Sequence, residues 1–129
     1  MSKTKSTVQL LDEAWKTFST FIKKRDSDWR GYGACVTCKK PLKVPSKQAH
    51  AGHFIHGKLK ESYFEEKNVH LQCQGCNYFK DGARDLYALR LIEHYGDGII
   101  QELHKKNKEK IWTKKELRNI IEIYKSKPP

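Results

Sequence analysis

The chain has 129 residues, of which 37% are hydrophobic and 32% are charged, and this length suits a single domain (1–129) with a modest core. An excess of 26 Lys and Arg over 15 Asp and Glu gives a net charge of +11, which predicts a polyanionic partner such as DNA, although basic surfaces also serve solubility. No apolar run approaches the roughly 20 residues of a membrane-spanning helix, which argues against a membrane role.

The N-terminal segment 1–30 is predicted to be a helix. Ser6 and Gln9 have the spacing of a capping box. Apolar side chains then recur at helical intervals, at Val8, Leu11, Trp15, Phe18 and Ile22. The basic residues 23–25 and Arg30 either contact phosphates or are simply solvated. The polar start of the chain has no secretory signal, which predicts a protein of the reducing cytoplasm.

The central segment 31–84 is interrupted by glycines and prolines, which predicts hairpins and knuckles rather than helices. Its four cysteines form two CxxC pairs, with the spacing of a structural zinc site: Cys35, Cys38, Cys73 and Cys76. Two disulfides are the first alternative, which a reducing compartment disfavours, and an iron–sulfur cluster is the second. We therefore expect one structural Zn²⁺ in this segment.

The helical pattern returns in the C-terminal segment 85–129. Its apolar stripes comprise Leu86, Leu89 and Ile92, then Ile99, Ile100 and Leu103, and finally Leu117, Ile120, Ile121 and Tyr124. Gly96 ends the first helix, whereas Thr113 and Glu116 have capping-box spacing before the last. Helices on both sides of a strand-rich centre predict a small α+β domain.

The stretches AHAGHFIHGK and NVHLQCQGCNYFK place Asn68 15 residues after His53, and Asn77 nine residues further on. This order resembles that of the HNH endonucleases, the ββα-metal nucleases. The resemblance implies that His53 is the general base, that Asn68 orients it, and that Asn77 binds a catalytic divalent ion, Mg²⁺ or Mn²⁺. It also implies a zinc-stapled ββα-metal finger, flanked by the N-terminal helix and the C-terminal helices.

A closer resemblance is to the phage NinG (Rap) recombination endonucleases. The resemblance covers roughly residues 8 to 100. It rests on the runs AWKTFSTFIKKRDSD, CVTCKKPL, AGHF and FEEKNVHLQCQGCN and on a later helix ending in HYG. It implies a phage-encoded, structure-specific endonuclease in the cytoplasm of a bacterial host. The substrate implied is branched DNA in recombination: a Holliday junction, a D-loop or a flap.

The residue types fit phosphodiester hydrolysis. His53, with an ordinary pKa of about 6.5, can take a proton from water. The amide oxygen of Asn77 is a ligand that hard cations such as Mg²⁺ accept. A zinc ion bound by four cysteines has no open position for water, so its role is structural.

His50 is predicted to be a second ligand of the catalytic ion. Many HNH enzymes have an aspartate or histidine directly before the general base, but this chain has Gly52 there. Alternation along a strand puts His50 on the side of Gly52, opposite His53, at a position where NinG-like sequences have an aspartate. An imidazole ligand would favour Mn²⁺ or Ni²⁺, and an exposed histidine without a role is the alternative. His56 shares this face and is either a further ligand, a phosphate contact or part of a turn.

Lysines and an arginine flank the predicted site and are expected to contact DNA phosphates: Lys58, Lys60, Lys80 and Arg84. The last two would lie on one helix with Asn77. His70 is expected to pack near the second knuckle, and His94 and His104 to be ordinary helix residues.

The sequence thus favours a metal-dependent DNA endonuclease. A non-catalytic zinc-finger DNA-binding adaptor is the main alternative, but it has no need for His53, Asn68 and Asn77 at nuclease spacing. A zinc ribbon for protein contacts would leave the charge unexplained. A homodimer is expected if a four-way junction is cut symmetrically, because this requires two active sites, whereas flap or D-loop cleavage requires one.

Overall fold

A computed structural model describes residues 4–129, so the first three residues of the predicted N-terminal segment lie outside it. The first helix, α1, spans Thr7–Arg25. Its capping box is confirmed: the Ser6 hydroxyl accepts from the Gln9 amide at 3.1 Å, and the Gln9 side chain accepts from the Ser6 amide at 2.8 Å. The helix ends at Arg25, five residues before the predicted limit of its segment.

Two antiparallel hairpins follow α1. Strand β1 (Tyr32–Ala34) pairs with β2 (Pro41–Lys43), and β3 (Ala49–His53) pairs with β4 (Val69–Cys73). Two short 3₁₀ helices, Glu61–Phe64 and Glu66–Asn68, lie between β3 and β4. A single π-helical turn, Gly75–Phe79, follows β4. From β3 onward, the main elements therefore follow the order strand (β3), strand (β4) and helical turn (Gly75–Phe79).

Three helices complete the described chain: α2 (Arg84–Tyr95), α3 (Ile99–Lys105) and α4 (Lys114–Ser126). As predicted, α2 ends at Gly96, and Thr113 with Glu116 forms a capping box at the start of α4. These helices and the two small sheets confirm the mixed α+β class.

Asn77 does not share a helix with Lys80 and Arg84, contrary to the sequence-based prediction. Asn77 lies in the π-helical turn, and Arg84 is the first residue of α2. Between them the backbone is left-handed, with φ values of 49° at Asp81, 83° at Gly82 and 49° at Ala83. Consecutive left-handed residues cannot continue a right-handed helix.

The buried side chains form three cores. The first lies between α1, α4 and the 3₁₀ segment and contains Leu10, Ala14, Phe18, Phe21, Ile22, Tyr63, Phe64, Val69 and Leu117. The second surrounds the cysteines and contains Cys35, Leu42, Ala49, Leu71, Cys73 and Cys76. The third lies under α2 and α3 and contains Phe54, Ile55, Tyr87, Leu91, Ile99 and Leu103. Strands β3 and β4 contribute to the first two cores, and Phe54 and Ile55, directly after β3, belong to the third.

The end of α1 is tied to β4 by two adjacent charged residues. Arg25 donates to the backbone carbonyls of Glu66 and Val69, both at 2.8 Å, and the Asp26 carboxylate accepts from the Leu71 amide at 2.9 Å. Arg25 and Asp26 also form an ion pair at 2.8 Å. Arg25 is therefore engaged within the fold rather than presented to phosphates.

Across residues 4–129, no helix combines the length and the apolar character that crossing a lipid bilayer requires.

Candidate metal centre and catalytic cleft

The four cysteine sulfurs converge at one point. All four Sγ atoms lie within 4.8 Å of one another, and those of Cys38 and Cys73 are 3.8 Å apart. Tetrahedral zinc with Zn–S bonds of about 2.3 Å places its sulfur ligands about 3.8 Å from each other, so the cluster fits this ion. All four residues are free thiols, so neither alternative disulfide is formed.

The two knuckles hold these sulfurs with backbone hydrogen bonds. The amide of Cys38 donates to the sulfur of Cys35 at 3.5 Å, and the amide of Cys76 donates to the sulfur of Cys73 at 3.4 Å. Burial raises the pKa of Cys35, but hydrogen bonds from Thr37 and from backbone amides outweigh it and bring the pKa to about 6. Such bonds favour the thiolate, which is the form that binds a metal.

A cleft of about 460 Å³ runs along β3 and brings most of the sequence-predicted catalytic residues together. Its walls are formed by Trp15, Ser19, Lys23, Ala49, His50, Ala51, His53, His56, Gly57, Lys58, Tyr63, Asn77 and Tyr78. The alternation of β3 separates His50 from His53, but both line this one cleft.

The His53 imidazole packs against two aromatic rings, which also contact each other at 5.1 Å between centroids. Its imidazole stacks on Trp15 at 4.7 Å between ring centroids and on Tyr63 at 4.8 Å. Its Nε2 lies 3.0 Å from the backbone carbonyl of Tyr63. Because a carbonyl only accepts, Nε2 carries the hydrogen and Nδ1 keeps its lone pair. Burial lowers the pKa of His53 to about 4, so the ring is neutral at pH 7.

Asn68 fixes the segment that surrounds His53. It is fully buried, accepts from the Ile55 amide at 2.8 Å and donates to the carbonyls of Ile55 and Ser62, each at 3.0 Å. Ile55 lies two residues after His53, and Ser62 precedes Tyr63, whose carbonyl holds the imidazole. Asn68 therefore connects the two backbone segments that determine the position of the His53 ring.

His50 and Asn77 face each other across the cleft. The Nε2–H group of His50 donates to the carbonyl of Lys47 at 3.0 Å, and its Nδ1 accepts from the Asn77 amide at 3.1 Å. Both side chains carry a metal-binding atom, and they are already in contact. No carboxylate lines this cleft among residues 4–129, so an ion held here would depend on imidazole nitrogen and amide oxygen. Such a set favours Mn²⁺ or Ni²⁺ more than an all-oxygen site does.

Only one of the four predicted DNA-contacting residues lines the cleft. Lys58 lines the cleft, whereas Lys60, Lys80 and Arg84 lie outside its walls. His56 also lines the cleft, and its pKa is lowered by burial and then by the charge of Arg84. Arg84 is therefore close enough to affect the cleft electrostatically.

His70 packs between two tyrosines of α2 rather than beside the second knuckle, where the sequence placed it. Its Nδ1 lies 3.1 Å from the Tyr87 hydroxyl and its Nε2 lies 2.8 Å from the Tyr95 hydroxyl. The Tyr87 hydroxyl in turn donates to the carbonyl of Gly52 at 2.7 Å. This chain of bonds joins α2 to the middle of β3. His94 and His104 lie exposed on α2 and α3, as predicted.

Sequence reasoning missed the aromatic walls of the cleft. Trp15 recurs at helical spacing, which is the same for a core and for a site residue, and it both packs against the first core and lines the cleft. Tyr63 belongs to a 3₁₀ helix that has no periodic signal. Tyr78 stands next to Asn77, and its ring meets that of His50 at 4.9 Å. Its adjacency to a predicted ligand is the one signal that could have identified it.

The chain was compared with protein families, curated proteins and solved structures. A family model described as "Bacteriophage Lambda NinG protein" matches residues 1–128. Protein ninG of Salmonella phage P22 is 30% identical over 118 residues, covering 91% of this chain and 55% of that protein. Protein ninG of Escherichia phage lambda is 29% identical over 118 residues, covering 91% and 54%. The comparison with solved structures gave no significant match.

The chain spans about half the length of the curated relatives it matches. The family match nevertheless extends over almost every residue, including the whole of the cleft and all four cysteines. The chain belongs to the NinG family of bacteriophage proteins.

Proposed function

We propose that the protein is a metal-dependent HNH endonuclease that hydrolyses phosphodiester bonds in branched DNA. The observation that supports this most is the state of His53: a neutral imidazole, stacked against Trp15 and Tyr63, with one nitrogen occupied and the other free to accept a proton. A histidine that only filled the core would not need to line a polar cleft with His50 and Asn77.

His53 acts as the general base. Its Nδ1 takes a proton from the water that attacks the phosphorus, while its Nε2–H stays bonded to the carbonyl of Tyr63. The stacked rings and the carbonyl prevent the imidazole from turning. Its pKa of about 4 keeps the base unprotonated at pH 7, at the expense of a weaker driving force for taking the proton.

His50 and Asn77 hold the catalytic divalent ion in this proposal. Their side chains are 3.1 Å apart, so one ion could contact both Nδ1 of His50 and Oδ1 of Asn77 once the Asn77 amide has turned its oxygen, in place of its NH2 group, towards the imidazole. When bound, the ion would neutralise charge on the phosphoryl oxygens and on the 3′ leaving oxygen. The cysteine cluster would hold a separate, structural zinc.

The net charge of +11 supports a nucleic-acid substrate, and the resemblance to the NinG (Rap) recombination endonucleases supports branched DNA. Lys58 inside the cleft and Arg84 close to it would contact backbone phosphates, with Lys60 and Lys80 further out. Phosphate contacts carry little sequence information, so cleavage would depend on DNA shape.

Cleavage of DNA by the purified protein tests this proposal. Linear duplex, flap and four-way-junction DNA are incubated with the wild type and with His53→Ala, in Mn²⁺ or Mg²⁺. We expect the wild type to cut branched DNA, and His53→Ala to be roughly 10²- to 10⁴-fold slower, as is typical for the loss of a general base. His104→Ala is the matched control, because His104 is exposed on α3 and does not line the cleft.

Full activity of His53→Ala would overturn the mechanism. Tight DNA binding by the wild type, without cleavage under any metal condition, would instead favour the zinc-finger adaptor, which needs only the cysteine cluster and the basic surface. The mass of the protein with and without junction DNA tests the homodimer, because a symmetric pair of cuts requires two copies of the cleft.

A further inference from the structure

A second concave site lies beside the catalytic cleft. Its volume is about 530 Å³, within the range of ordinary ligand pockets. Its walls combine the apolar surfaces of Trp29, Val44 and Pro45 with the lysines Lys23 and Lys24. Lys23 also lines the catalytic cleft, so the two sites are contiguous along α1.

Trp29 is the most unusual feature of this pocket. Its side chain is 93% exposed, the highest exposure among the large hydrophobic residues of the described chain. One exposed apolar residue alone carries no functional meaning. Here, however, the indole stands at the wall of a pocket, and that pocket shares Lys23 with the cleft that holds the candidate catalytic groups.

The turn that presents Trp29 is rigidly built. Asp28 and Gly31 close it with a backbone hydrogen bond of 2.9 Å, and the Asp28 carboxylate accepts from the amides of Arg30 and Tyr32 at 2.9 and 3.1 Å. The Gly31 carbonyl accepts from the Val44 amide at 2.7 Å, which ties the turn to the opposite wall of the pocket. The backbone that carries the indole is therefore fixed by these hydrogen bonds and is not a loose loop.

The chemistry of the pocket fits one class of occupant. Lys23 and Lys24 attract a phosphate backbone, whereas the indole and Pro45 offer a flat apolar surface to an aromatic ring. The bases of a duplex are already stacked on each other and cannot present a face. Only an unpaired base can use this surface.

We propose that the Trp29 pocket binds an unpaired nucleobase of the DNA strand next to the scissile phosphate. Stacking on Trp29 would make single-stranded segments and branch points better substrates than linear duplex, without any reading of sequence. This inference rests on the proposed nuclease function for the position of the strand, but base stacking itself does not require catalysis.

Binding without divalent ions tests the stacking site independently of cleavage. Affinities of wild type, Trp29→Phe and Trp29→Ala are measured for a short oligothymidylate and for duplex DNA of the same length. We expect Trp29→Ala to weaken single-strand binding by about 5- to 140-fold, the equivalent of about 1 to 3 kcal/mol per stacked base, and to leave duplex binding unchanged. Trp29→Phe should retain most of the affinity, because it keeps an aromatic face.

Ile111→Ala is the matched control, because Ile111 is 83% exposed and lines neither site. Equal single-strand binding by Trp29→Ala and wild type would overturn the inference. So would an equal loss of single-strand and duplex binding, or a change of oligomeric state that showed the pocket to be occupied by a second copy.

Cleavage of flap and linear DNA by the same variants separates this inference from the proposed function. If both hold, Trp29→Ala loses its preference for the flap and still cuts linear DNA at the wild-type rate. A wild type that cuts nothing but binds single strands through Trp29 would overturn the nuclease proposal and leave the stacking site standing. A Trp29→Ala variant that keeps the normal preference for the flap would overturn the stacking site and leave the nuclease proposal standing.

Discussion

At the scale of single residues, hydrogen-bond partners distinguish the histidines of the cleft. The Lys47 carbonyl fixes the hydrogen of His50 on Nε2, and the Tyr63 carbonyl does the same for His53. In each ring Nδ1 then carries the lone pair. The two lone pairs meet different surroundings: that of His50 accepts from the Asn77 amide, whereas the His53 ring packs against Trp15 and Tyr63. The same side chain is thereby suited to a ligand in one position and to a base in the other.

The metal dependence of cleavage by alanine variants should distinguish a metal ligand from a general base. Asn77→Ala and His50→Ala should each raise the Mn²⁺ concentration needed for half-maximal cleavage, by at least tenfold, and excess Mn²⁺ should partly restore the rate. His53→Ala should not be rescued by metal, because the missing group is a base. Cleavage measured across a Mn²⁺ and Mg²⁺ titration provides the comparison. A His50→Ala variant with wild-type metal dependence would remove His50 from the ligand set.

Stability should fall as the pH is lowered from about 6.5 towards 4. Burial lowers the pKa of both His53 and His70 from 6.5 to about 4, so the unfolded chain takes up these protons before the folded one does. The stabilising contribution of the neutral rings is complete above pH 6.5 and is lost between the two values. Urea midpoints measured at intervals from pH 7.5 to 5 should show this slope.

His53→Gln and His70→Gln should each flatten the slope, whereas the exposed His104 should be replaceable by Gln without effect. Zinc content must be measured at each pH, because protons also compete for the thiolates. Identical slopes in all three variants would contradict the assignment of the pH dependence to the buried rings.

At the scale of elements, the β3–β4 hairpin is the frame of the site. Its register places His53 opposite Val69, directly after Asn68, so the proposed base and the residue that positions its surroundings lie at the same end of the hairpin. At the other end β4 runs into Cys73, and the π-helical turn then carries Cys76 and Asn77 side by side. One element therefore connects the cysteine cluster to the cleft of His50, His53 and Asn77 over a few residues.

Asn68→Ala should lower the rate of cleavage by more than its loss of stability alone explains. It leaves the Ile55 amide and the Ile55 carbonyl without a partner, at a cost of about 1 to 3 kcal/mol for each group that stays buried, whereas the Ser62 carbonyl keeps its bond from the Glu65 amide. We also expect a fall in cleavage rate of at least tenfold well below the melting temperature, because the Tyr63 carbonyl would shift. Leu103→Ala, in the third core, is the control: it should cost about 2 to 5 kcal/mol and leave the rate unchanged. Equal rate losses in the two variants would indicate that Asn68 is merely structural.

At the scale of the whole molecule, zinc should determine whether the second core exists. Metal binding in zinc-finger peptides contributes about 10 to 16 kcal/mol, as much as the entire net stability of an ordinary domain. Purified protein should contain about one zinc per chain, and Cys35→Ser or Cys76→Ser should unfold the finger. Metal analysis and circular dichroism before and after chelation test this. A metal-free, fully folded protein with intact thiols would contradict it.

DNA affinity should depend steeply on salt. If Lys58, Lys60, Lys80 and Arg84 each neutralise one phosphate, the logarithm of the binding constant should fall with the logarithm of salt with a slope of about −3.6, or about 0.9 per contact. Lys58→Gln should reduce this slope by about 0.9, whereas Lys115→Gln on α4 should leave it unchanged. Fluorescence titrations at several salt concentrations give the slopes. Tight binding to one linear sequence that persists in high salt would count against phosphate recognition.

The sequence by itself determined the local features of this protein. The capping boxes at Ser6 and Thr113, the end of α2 at Gly96 and each single CxxC pair follow from interactions between residues a few positions apart, so spacing alone predicts them. Metal-ligand spacing also predicted that the two pairs converge, although only the fold brings Cys38 and Cys73, 35 positions apart, together. The tertiary structure decided which residues from distant segments contact each other. It placed Trp15 of α1 and Tyr63 of a 3₁₀ helix against His53, put His70 between tyrosines, and separated Asn77 from α2 by three left-handed residues. These contacts join segments distant in the chain, and their positions depend on how the cores pack, which no local pattern encodes.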